Sequence, residues 1–62
     1  MKRQWLVRLE GGDERVEADE VEIAPSGTLV FYRFASRQET ERVLLTAFSP
    51  GLWQRCQLET GD

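Results

Sequence analysis

Thr28-Leu29-Val30-Phe31-Tyr32-Arg33-Phe34-Ala35 is the stretch on which the fold turns. Valine and the aromatics suit the pleated, half-buried surface of a strand. Because Leu29, Val30, Phe31 and Tyr32 are consecutive, this strand is apolar on both faces rather than on one. It belongs at the middle of a sheet or at an interface, and the rest of the chain is read against it.

Working outward, Pro25-Ser26-Gly27 precedes it and carries the residue types that reverse a chain. After it, Ser36 to Thr40 interrupts the apolar run, and Val43 to Phe48 resumes it. Ser36-Arg37-Gln38-Glu39 also fits a helix capping box, in which a serine and a glutamate three residues on satisfy each other's backbone donors. A helix over about 37–48 would set Thr40, Val43 or Leu44, Ala47 and Phe48 on one side. The β-branched Thr40, Val43 and Thr46 favour a strand instead.

The N-terminal part alternates with period two. Trp5, Val7 and Leu9 face one way, Gly11-Gly12-Asp13 supplies a tight turn, and Val16 and Ala18 continue on a returning strand. Val21 and Ile23 fall out of step with that pair, so Asp19-Glu20 must hold a bulge, a bend or a short turn. Pro50-Gly51 marks a further turn before a last strand, Trp53 to Leu58.

These signals predict a single domain spanning 1–62. It is all-β and mainly antiparallel, an SH3-like barrel or a curled meander of five or six strands, with α+β carrying one helix at about 37–48 as the alternative. The predicted core is Trp5, Val7, Leu9, Val16, Val21, Ile23, Leu29, Phe31, Val43, Leu45 and Trp53.

Size and composition narrow the function. A chain of 62 residues has a small core and is usually helped by disulfides, metals or partners. With one cysteine, Cys56, and no histidine, neither an internal disulfide nor an ordinary zinc site is available, which leaves tight packing or self-association. A lone cysteine fits a reducing compartment and is expected to be buried, so the cytoplasm is the expected location. Met1-Lys2-Arg3-Gln4-Trp5 leads into Arg8 and Glu10 rather than into an apolar run, which does not read as a signal peptide, and no stretch approaches a membrane span.

Catalytic chemistry is poorly supplied. There is no histidine, the single lysine is Lys2, Cys56 has no base beside it in sequence, and no phosphate-cradling, nucleophile-elbow or metal-ligand motif is present. The expectation is a protein that is not an enzyme, with no cofactor, no metal and no small-molecule substrate.

Four features remain as candidates. If one face of the sheet is core, Leu6, Val30, Tyr32, Phe34 and Leu44 project from the other, more apolar area than an isolated small domain shows without reason. Glu14, Glu17, Asp19, Glu20 and Glu22 form an acidic run suited to a basic groove, or simply the wet side of a sheet. Tyr32, Arg33, Arg37 and Arg42 could stack and neutralise single-stranded nucleic acid, although the net charge of −3 opposes it. Phe48-Ser49-Pro50-Gly51-Leu52-Trp53 either staples the last strand to the domain or offers a stiff recognition tip. The leading expectation is a bacterial or phage protein-protein interaction module, acting on another protein or on itself. An acidic regulator of a nucleic-acid enzyme comes second and a nucleic-acid binder third.

Overall fold

The structure, a computed structural model, describes residues 3–35 and 41–60. Six strands follow one another: β1 (Arg3–Leu9), β2 (Gly12–Ala18), β3 (Glu20–Ile23), β4 (Leu29–Phe34), β5 (Arg42–Phe48) and β6 (Trp53–Thr60). They form two antiparallel three-stranded sheets, ordered β2-β1-β6 and β3-β4-β5. The all-β architecture matches the sequence reading, and β4, the doubly apolar strand, lies at the centre of its sheet as expected.

Local chemistry accounts for each reversal. Leu9 pairs with Gly12 across a tight turn, and Gly12 holds a φ of 143° that a side chain would resist. The phase break at Asp19-Glu20 is the corner where the chain leaves one sheet for the other. Asp19 donates its N–H to the Tyr32 carbonyl at 2.9 Å and accepts the Phe34 N–H on Oδ2 at 2.9 Å. By crossing the corner, Val16 and Ala18 before it and Val21 after it all face the same interior. Between β3 and β4, Gly27 donates to the Ala24 carbonyl and adopts a φ of 94°.

Strand β5 overturns the helical alternative for residues 42–48. Its backbone groups are taken up by β4, from Leu29 opposite Phe48 to Phe34 opposite Arg42. The capping box at Ser36 to Glu39 lies outside the described residues. The ladder carries a bulge: Phe31 faces Thr46 and Tyr32 faces Leu44, so Leu45 is an extra residue.

The interior is built on Phe31. Its ring meets Trp5 edge-on at 6.3 Å and Phe48 edge-on at 6.1 Å, and Val7, Val16, Ala18 and Leu29 complete the buried set. Trp5, Leu9, Val21, Trp53 and Cys56 pack around it, partly buried. Three residues predicted for the core, Leu45, Ile23 and Val43, are not part of it. Leu45 is 41% exposed because the bulge takes it out of alternation, and Phe48 fills the interior from the same strand. Ile23 is 60% exposed because β3 ends there, at the rim where the chain turns. Val43 is only half-buried.

The turns between β1 and β2, β3 and β4, and β5 and β6 lie at one end of the strands. There Trp53 donates its indole N–H to the Gly27 carbonyl at 3.0 Å, and a methyl group on Gly27 would stand 3.3 Å from Pro50 Cβ. Phe48 and Trp53 therefore staple β6 in place. Trp53→Phe keeps an aromatic ring but loses the bond and the pyrrole half of the indole, so it should cost at least roughly 0.5–1.5 kcal/mol in urea denaturation.

Candidate interaction surfaces

On the outer face of the β3-β4-β5 sheet, strand register assembles three rows: Glu22, Val30 and Ala47; Glu20, Tyr32 and Leu44; and Phe34 beside Arg42. Alternation on β4 sends Val30, Tyr32 and Phe34 outward because Leu29 and Phe31 point in. The bulge at Leu45 brings Leu44 to the same side. Four of the five partner-binding residues expected from sequence, Val30, Tyr32, Phe34 and Leu44, thus share one surface.

Arg42 lies across this surface. Its guanidinium carbon sits 4.2 Å from the Tyr32 ring centre, and Nη1 donates to Glu20 at 2.8 Å and to Glu22 at 3.2 Å. Those bonds, Glu20's first, raise the arginine's already high pKa. The arginine shields Tyr32, which is half-buried, as are Val30 and Phe34. Leu44 gains no such cover and is 60% exposed.

Leu6 is elsewhere, on the outer face of the β2-β1-β6 sheet between Arg15 and Gln57. Here Arg15 reaches from β2 across the central strand to Glu59 on β6, Nε donating at 2.8 Å and Nη2 at 3.4 Å. The Glu59 carboxylate raises the Arg15 pKa, first through this hydrogen bond. Each sheet thus carries one arginine strap over the outward apolar residue of its central strand. These exposed pairs are screened by water and salt, so they organise the surface more than they stabilise it.

The five acidic positions do not form one surface. Glu20 and Glu22 are bound to Arg42, and Asp19 holds the Phe34 backbone. Glu17 stands on the outer face of the other sheet opposite Gln4, while Glu14 faces the opposite way, across from Val7. Nor do the candidate nucleic-acid residues converge. Arg33 pairs with Val43 on the face opposite Tyr32, Arg42 is taken by two carboxylates, and Arg37 lies outside the described residues.

A cleft of about 270 Å³ that spacing did not disclose lies at the turn end, lined by Leu9, Glu10, Gly11, Phe48, Gly51 and Leu52. An apolar leucine inside a Pro-Gly turn was its one sequence signal. Among the described residues no group of side chains is arranged to hold a metal ion, and no helix is long and apolar enough to cross a membrane.

Cys56 is half-buried on the interior side of β6, and burial pushes its thiol pKa up. Burial disfavours the thiolate, the reactive form. Iodoacetamide at pH 8 should therefore alkylate Cys56 more slowly in the folded protein than in urea. The same sign means stability falls as pH rises past the ordinary thiol value.

No protein-family model matches the chain, and no curated protein or solved structure matches it either.

Proposed function

We propose that this chain is a non-enzymatic protein-protein interaction module that docks its partner on the outer face of the β3-β4-β5 sheet. The observation that carries the reading is Leu44, 60% exposed amid the half-buried Val30, Tyr32 and Phe34 on a face with charged margins. Aromatic and aliphatic anchors surrounded by polar groups are the usual anatomy of a binding patch. The bent β2–β3 arm joining two small sheets supports the finer description of an SH3-like half-barrel. A single, half-buried cysteine supports the cytoplasm as the site of action.

The two other readings draw less support. A carboxylate surface for a basic groove needs its acids free and side by side, whereas Glu20, Glu22 and Asp19 are engaged. A stacking platform for nucleic acid needs arginine and tyrosine open on one face, whereas Arg42 covers Tyr32 and Arg33 faces away.

The test is paired affinity capture from the native host with the tagged wild type, Leu44→Asp and Leu52→Asp. A partner recovered with the wild type and Leu52→Asp but lost with Leu44→Asp supports the reading. A partner lost with Leu52→Asp and kept with Leu44→Asp moves the site to the turn-end cleft and overturns it.

A further inference from the structure

The free edge of β6 carries an inference that does not depend on the β4-β5 face. β6 and β5, joined by residues 49–52, are each the outer strand of their sheet. β6 is eight residues long, contains no proline, and keeps Leu58 on the interior side yet 50% exposed. Proteins usually blunt such an edge, because its unpaired backbone groups template another strand.

We propose that β6 pairs antiparallel with β6 of a second copy of this chain, about a two-fold axis at Gln57. Charge complementarity selects the register. An axis at Gln57 sets Arg55 of each copy opposite Glu59 of the other, and Cys56 opposite Leu58 on the interior side. An axis at Arg55 brings two arginines together. An axis at Cys56 sets Arg55 against glutamine, and one at Leu58 sets Glu59 against glutamine. The Gln57 register alone pairs opposite charges, twice by symmetry.

The monomer's own geometry favours the same arrangement. Arg55 lies directly across from Arg8 on β1, and Arg8 has Asp13 at 3.2 Å while Arg55 has no ion pair among the described residues. Glu59 is on that outer face, where Arg15 already holds it, so the second copy's Arg55 would share this carboxylate with Arg15. A second carboxylate beside Arg55 would relieve the like-charge contact. The β1–β6 ladder is regular over Arg55–Leu58, and its two irregularities fall at Gln54 and at Glu59. β5, the outer strand joined to β6 by the last turn, contains no acidic residue, so no self-pairing register offers its Arg42 an opposite charge.

The register is tested by cross-linking in a Cys56→Ser background. Directly opposed antiparallel residues have Cα atoms about 4.5–5.5 Å apart, within disulfide reach. Gln57→Cys should oxidise to a covalent dimer, and Gln54→Cys should not. Sedimentation over a concentration series should show a dimer that Arg55→Glu weakens by at least about tenfold and that the double change Arg55→Glu with Glu59→Arg restores. Circular dichroism confirms that each variant is folded, and Arg55→Glu removes rather than creates like-charge contact with Arg8. Leu44→Asp should leave the dimer intact, which separates this proposal from the partner-binding face. A monomer at millimolar concentration, a dimer indifferent to Arg55→Glu, or equal cross-linking at 54 and 57 would each overturn the pairing.

Discussion

Phe31→Ala should leave the domain largely unfolded at room temperature. The Phe31 side chain is fully buried and joins the two sheets, touching Trp5 of one and Phe48 of the other. Truncating a buried phenylalanine costs about 3–5 kcal/mol through lost transfer energy and the cavity left behind. A chain this short has a total stability of only about 3–9 kcal/mol on per-residue averages. The loss therefore approaches or exceeds everything that holds the fold. Far-ultraviolet circular dichroism and tryptophan fluorescence in a urea series would show it, since Trp5 sits against the missing ring. A cost below about 1 kcal/mol would mean that the two sheets do not share this interior.

Leu44→Asp should weaken partner binding by at least about 30-fold, the loss expected when a central interface residue worth roughly 2 kcal/mol is removed. It should barely change the melting temperature, because Leu44 is 60% exposed and is not part of the buried cluster. Leu44→Lys separates the causes. Equal loss with either charge identifies an apolar contact, whereas loss with aspartate alone makes the effect electrostatic. Binding that survives both changes would remove Leu44 from the interface.

Much of this fold is legible in the sequence. The alternation of Trp5, Val7 and Leu9 is that of a strand with one buried face, and the phase break between Ala18 and Val21 marks the corner at Asp19. Both are local patterns, fixed by the two-residue period of a strand. The division into two sheets is not legible, because nothing local says that β2 and β3 belong to different sheets. The bulge at Leu45 was equally hidden: a run of Val43-Leu44-Leu45 offers two phases, and the choice is made by β4 across the ladder. That choice put Phe48 in the interior and Leu45 in solvent. Over Ser36 to Phe48, a local capping signal competed with β-branched residues, and pairing with β4 decided for strand over 42–48.

The surface was legible only in part. Outward projection of Val30, Tyr32 and Phe34 follows from β4 alone, and Leu44 joins them through the bulge. Leu6 would project with them only from one continuous sheet, and the second sheet carries it away. The Arg15–Glu59 strap joins residues distant in sequence through an ordinary tertiary contact, for which no spacing rule exists. The same is true of Arg42 with Glu20 and Glu22, which turns two of the five expected acidic residues into the margin of an apolar surface.

Amide hydrogen exchange by nuclear magnetic resonance on dilute protein tests the central claim of two sheets left open along β5 and β6. The account predicts that the amides of β1 and β4 exchange only through global unfolding, while alternate amides on β5 and β6, those pointing away from the sheets, exchange nearly as fast as free peptide. Uniform protection along β5 and β6, equal to that of β4, would mean that the two strands pair with each other in a closed barrel, and would contradict it.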